Sequence, residues 1–169
     1  SDKAGKASVP VQLFCARLAL SGFVVLTWDP VTLGERLQMW DSGRKASEMG
    51  NAAEEQRVLS NQCYLLGRNL MDYRVLDAIR AIDYLESRVD VDADRIAMAG
   101  NSGGGTVSLF AAACETRITV ALPGSYFNTF AGSIGALFFI GMCVACAMGG
   151  SVVGIRLARS CTSRAGTWG

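Results

Sequence analysis

The chain has 169 residues, half of them hydrophobic, and a formal net charge of +1 at pH 7. That length suits one domain with a sizeable core. The balance excludes a disordered chain and offers no basic surface for a nucleic acid, so none is expected as a partner. Six cysteines at irregular spacing in a chain of this size do not indicate a disulfide framework, and the sequence contains no histidine.

The first residues, Ser1-Asp2-Lys3-Ala4-Gly5-Lys6, carry no initiating Met and no apolar signal-peptide core, so the compartment is not readable. They read as the start of a segment inside a longer protein or of a processed one. Residues 11–19 place Val11, Phe14, Cys15, Leu18 and Ala19 on one face, which predicts a helix ending at Ser21-Gly22. Residues 23–28, Phe-Val-Val-Leu-Thr-Trp, are continuously apolar or β-branched. That pattern predicts a strand buried on both faces, as in a parallel sheet. Residues 33–59 are polar and irregular and predict a loop with at most one short helix. Residues 66–88 repeat apolar side chains at spacings of three and four, with Leu70, Val75, Ile79, Ile82 and Leu85 as the stripe.

An acidic turn is expected at 90–94, a short strand at 95–99, a helix at 103–114 and a strand at 117–122. Alternating helices and strands of this kind predict a parallel α/β sheet with crossover helices. From 130 to 155 there is no charged residue. If the chain meets a membrane, only this stretch is apolar for long enough. Cys143 and Cys146 form a C-x-x-C inside it, with no further ligand type nearby. No metal or organic cofactor is expected.

The chemistry concentrates in Gly100-Asn101-Ser102-Gly103-Gly104-Gly105, directly after the apolar run 96–99. A G-x-S-x-G between strand and helix holds the serine in a strained turn that exposes its Oγ above the sheet edge. Ser102 is the candidate nucleophile, and the N–H of Gly103, at the positive end of the following helix, is the candidate oxyanion donor. A phosphate-cradling turn is the competing reading. It is weakened by the missing Lys-Ser/Thr of a P-loop and by the absence of dinucleotide-fingerprint spacing. Trp28 and Trp40 are candidates for lining an acyl pocket, with core packing as the plainer reading.

Several stretches together resemble the α/β-hydrolase superfamily, closest to acetyl xylan esterase-like bacterial serine esterases. They are 22–36, with Gly22-Phe23-Val24-Val25-Leu26, Asp29-Pro30 and Gly34-Glu35-Arg36; 77–85; Asp90 to Ile96; and the elbow 100–106. The resemblance runs from about residue 3 to about residue 130. It implies a partial α/β-hydrolase fold, a mostly parallel sheet with flanking helices, lacking N- and C-terminal parts. It also implies ester hydrolysis by acyl transfer from Ser102, on a small-molecule or carbohydrate ester.

Departures from the family pattern are as informative. The family order is Ser, then Asp or Glu, then His. After Ser102 the only acid is Glu115, where the family has a surface acid, and no His follows. The loop that supplies the second oxyanion donor in the family is absent as well. Asp29, Asp77 and Asp83 precede the serine and read as structural acids. The expected division is therefore 1–130, a partial hydrolase core with the elbow, and 131–169, a divergent apolar and Arg-rich tail. That tail reads as sequence foreign to a hydrolase, such as a shifted reading frame gives, or as a membrane segment. The expected function is a fragment of a serine ester hydrolase, inactive as it stands. The alternatives are a non-catalytic or membrane-anchored hydrolase relic, and a fragment of a prolyl oligopeptidase-type serine peptidase.

Overall fold

The structure is a computed structural model that describes residues 5–127, 129 and 151–157, the last for their backbone. Helix α1 (Val9–Leu20) begins with Pro10 in its first turn, where a missing N–H costs nothing. It packs on strand β1 (Phe23–Trp28), whose bounds match the apolar run. Every residue of β1 is half-buried rather than buried.

The region expected to be loop contains more structure than its polarity suggested. A short hairpin pairs β2 (Trp40–Asp41) with β3 (Ala46–Ser47), and a 14-residue helix α2 (Ala52–Leu65) follows. Asn51 caps that helix by accepting the Glu54 N–H at 3.0 Å. The cap and the acidic first turn are the local signals that its weak apolar stripe concealed.

Helix α3 (Leu70–Glu86) starts four residues later than the periodicity suggested, because Gly67, at φ +66°, ends α2. Asn69 and Asp72 exchange caps: Met71 N–H donates to Asn69 Oδ1 at 2.9 Å, and Asn69 N–H to Asp72 Oδ2 at 3.1 Å. Its buried face is Leu70, Arg74, Ala78, Ile82 and Leu85, while Tyr73, Leu76 and Tyr84 are exposed. The predicted stripe thus had the right axis but missed Arg74 and Ala78.

Strand β4 (Val91–Asn101) is longer than expected and absorbs the acidic turn. The extension forms because Val91 pairs with Leu157, after which the register shifts before Ile96. Helix α4 (Gly103–Cys114) has the expected bounds, and β5 (Ile118–Gly124) runs parallel to β4.

Strand β6 (Ser151–Leu157) completes a four-stranded sheet of order β1-β6-β4-β5. It is antiparallel to both β1 and β4, so β1, β4 and β5 share one direction. The α/β architecture is that of a partial α/β-hydrolase fold, but the expected mostly parallel sheet is not met: the reversed β6 lies between β1 and β4, so two of the three strand pairings are antiparallel. That reversed strand comes from the region read as tail, and the remainder of 131–169 lies outside the described residues. The uncharged stretch lies outside them up to residue 150, and its last part is this strand. Among the described residues no helix is long and apolar enough to cross a membrane.

The core lies between α3, β4 and α4: Ala78, Ile82, Leu85, Ile96, Met98, Val107 and Ala111 are all at most 1% exposed. Each of the larger side chains contributes about 2 kcal/mol by leaving water. This cluster anchors both elements that flank residue 102.

Candidate active site

Ser102 stands between the end of β4 and the start of α4, half-buried, with φ 53° and ψ −115°. A non-glycine residue there carries strain of about 1–3 kcal/mol. Close packing around the turn supports it. A Cβ on Gly100 would lie 2.2 Å from the Gly104 carbonyl oxygen, and one on Gly105 would lie 2.4 Å from the Gly124 carbonyl oxygen. Both distances are below any real contact, so both positions require glycine. At Gly103 a Cβ would meet nothing within 4 Å. That residue leaves space in front of the first N–H groups of α4, which have no acceptor inside the helix.

Strand β5 fastens the turn from the other side. Ser102 N–H donates to the Gly124 carbonyl at 2.8 Å, and Thr106 N–H to the Ser102 carbonyl at 2.9 Å. The Gly124 contact and the positive φ of Ser125 (56°) were not singled out by sequence reasoning. Their signal was Gly124-Ser125, a turn pair closing a strand. The arrangement presents a hydroxyl at the carboxyl edge of the sheet beside backbone donors. That is what an acyl-transfer nucleophile and half of an oxyanion hole require.

The acids fall elsewhere. Glu115 precedes β5, whereas Ser102 is bonded to its far end, a separation of about 20 Å along the strand. Glu115 instead receives Arg117 at 2.6 Å, and Arg117 also binds Asp83 at 2.9 Å and Glu86 at 2.6 Å. The Arg117 hydrogen bonds hold the Glu115 and Asp83 carboxyls below their ordinary range. Asp77 pairs with Arg36. Asp29 is 4% exposed and accepts from Lys6 N–H at 2.6 Å, Lys6 Nζ at 2.9 Å and Glu35 N–H at 3.3 Å. Gly5 and Gly34, both at positive φ, wrap this carboxylate so closely that a Cβ on either would strike it.

The loop after β1 holds a second buried charge. Arg74 Nη2 donates to the Val31 carbonyl and Thr32 Oγ1, each at 3.1 Å, and to Gln56 Oε1 at 3.2 Å. Burial pulls its pKa down to about 10, against a smaller opposing pull from Asp77. Of the two tryptophans, Trp28 packs against the core, whereas Trp40 is 40% exposed and lines a cleft with Gly34, Glu35 and Leu37.

The acetyl xylan esterase family model (AXE1) matches residues 61–130, a span that contains α3, β4, the elbow and β5. The chain is acetyl xylan esterase-like. A Bacillus subtilis (strain 168) protein named "Putative hydrolase YtaP" is 30% identical to this esterase-like chain over 109 residues. The match covers 64% of the chain and 31% of that protein, so the chain spans about a third of its relative's length. No solved structure matches.

Proposed function

We propose that this chain carries the acyl-accepting turn of a serine ester hydrolase. Ser102 Oγ attacks the ester carbonyl, the alcohol leaves, and water later releases the acyl group. The Gly103 N–H donates to the oxyanion formed in each step. The observation that carries the reading is the strained φ of Ser102, kept in place by glycines at 100 and 105. The family resemblance adds the substrate class, an acyl ester of a small molecule or carbohydrate.

The 169 residues contain no histidine, and Glu115, the sole acid after Ser102, is remote from it. Loss of triad function costs on the order of 10⁴–10⁶ in rate, so this chain alone hydrolyses esters negligibly. The test is hydrolysis of a small aryl acetate with and without added imidazole as an external base. Without imidazole, the chain and its Ser102→Ala variant should both match background. With imidazole, the chain should exceed the variant. Fast hydrolysis without imidazole, lost on Ser102→Ala, would overturn the inactivity. No difference in either condition favours the reading as a non-catalytic relic, which the missing histidine also supports.

A further inference from the structure

Helix α2 ends on Tyr64-Leu65-Leu66, and these three side chains are 61%, 88% and 76% exposed. Among the described residues, no other three large apolar side chains in a row stand in solvent. A run of this kind adds nothing to the fold and marks a contact surface. The chain is anchored before it by buried Cys63 and after it by buried Leu70, while all six residues between them, 64–69, are exposed. The apolar side chains therefore form a convex tip rather than a groove.

The tip satisfies its own backbone. The N–H groups of Leu66, Gly67 and Arg68 donate to the carbonyls of Cys63, Tyr64 and Cys63 at 3.0, 3.0 and 2.8 Å. Asn69 and Asp72 close the start of α3 by exchanging caps. Backbone donors met in this way leave water at little cost, which is the condition for entering the boundary between lipid headgroups and acyl chains. The charge has the matching sign. Between Glu55, which is buried, and Asp72 the only charged residues are Arg57 and Arg68. Arg57 leans back onto Glu54, whereas Arg68 follows the tip directly and is exposed.

Helix α3 fixes where the tip stands. At its far end Glu86 binds Arg117, one residue before β5 begins, at 2.6 Å. Near its start Arg74 reaches the Val31 carbonyl, just past the end of β1, at 3.1 Å. Helix α3 thus runs from the carboxyl edge of the sheet to the opposite edge. The tip that precedes it stands at the carboxyl edge, the same edge as Ser102.

We propose that the α2–α3 corner is a docking point for an anionic lipid surface. Tyr64, Leu65 and Leu66 enter the boundary between headgroups and acyl chains, and Arg68 meets the phosphates. The contact is peripheral, so it needs no segment long enough to span. A rigid protein partner fits the tip less well. Three side chains fall short of the roughly 800 Å² per partner that a stable protein interface buries. Docking turns the edge that carries Ser102 toward the lipid, but the proposal does not depend on the ester-hydrolase reading.

The test is co-sedimentation of the full chain with vesicles of phosphatidylcholine alone and of phosphatidylcholine with about a third phosphatidylglycerol. The expected result is partition onto both, stronger on the anionic vesicles and weakened there by salt. The double variant Leu65→Ser, Leu66→Ser should lose about tenfold or more on both. Arg68→Gln should lose about fivefold on the anionic vesicles and nothing on the neutral ones. All three substituted residues are exposed, so the variants should keep the parent's far-UV circular dichroism. Absence of partition would overturn the proposal. So would equal partition of the double variant, which would assign the contact to another apolar segment such as 130–155. A concentration-dependent dimer in the parent, seen by analytical ultracentrifugation without lipid and missing in the double variant, would also overturn it, because the tip would then belong to a second copy.

Discussion

Two turns leave the same edge of the sheet, and they are held by opposite means. The turn after β4 is fixed by side chains that are missing: glycines at 100 and 105 let backbone meet backbone, and Ser102 is forced to a positive φ between them. The turn after β1 is fixed by charges that are present: Asp29 is buried under Lys6 and the Glu35 N–H, and Arg74 is buried under Val31 and Thr32. A turn made by close approach tolerates no added atom. A turn made by charge tolerates a change of shape better than a loss of polarity.

The largest effect should come from adding one methyl group at the first turn. Gly100→Ala forces a Cβ into the Gly104 backbone, which cannot yield without unwinding the first turn of α4. Destabilisation by about 3 kcal/mol or more is expected. Gly103→Ala, one turn away in open space, should cost under about 1 kcal/mol. Urea unfolding midpoints of the two variants check the contrast, and equal midpoints would show that the turn is not held by close approach.

At the second turn the comparison runs the other way. Asp29→Ala removes three hydrogen bonds and leaves the half-buried Lys6 N–H without its acceptor, at an expected cost of about 2 kcal/mol. Asp29→Asn keeps one acceptor oxygen and should cost about half as much. Burial lowers the Lys6 pKa, but bonds to Glu35 and Asp29 outweigh it and the net shift is upward. Its contribution is therefore full below about pH 10 and fades as pH rises through the folded-state value. A thermal-melt series at alkaline pH should show a larger fade in the parent than in Asp29→Ala, which keeps the Lys6–Glu35 pair.

The difference between the turns also explains what the sequence disclosed. The elbow was legible because glycine has one dominant reason to recur between a strand and a helix. The match of β1 and α4 to their expected bounds came from equally one-sided patterns. The hairpin at 40–47 and helix α2 were not legible, because Glu55 reads as a surface residue until its partners, Gln38 and Ser47, are brought to it. Arg74 was missed for the same reason: a charged residue on a helix is assigned outward by pattern, until the Val31 carbonyl, Thr32 and Gln56 are brought to it. Strand β6 was missed because its residues were classed by the absence of charge, a property that a buried strand and an apolar tail share.

A smaller effect separates strain from packing at the serine itself. Ser102→Gly releases the positive φ, and the gain of about 1–3 kcal/mol is partly cancelled by the greater freedom of glycine when unfolded. A net stabilisation of about 1 kcal/mol is expected, with imidazole-supported hydrolysis abolished. Ser102→Ala keeps the strained backbone and should stay within about 0.5 kcal/mol of the parent in stability. If both variants match the parent in stability, the turn is not strained and the φ of Ser102 does not mark a nucleophile.

The smallest effect tests an ion-pair cluster far from either turn. Arg117 joins Asp83 and Glu86 on α3 to Glu115 at the start of β5, at the edge of the sheet opposite Ser102. Because the cluster is partly exposed, Arg117→Gln should cost only about 1 kcal/mol at neutral pH. The sign of its pH dependence follows from the depressed Glu115 and Asp83 carboxyls. Each stabilises the fold fully above its unfolded value, about 4, and stops doing so as pH falls through the lower folded value. The parent should therefore lose more stability than Arg117→Gln between about pH 5 and pH 2, and the two should converge in acid. Asp90, held low by Arg88, titrates in the same window in both proteins and cancels in the difference. A difference that persists unchanged to pH 2 would assign the Arg117 contribution to packing of its stem rather than to its charge.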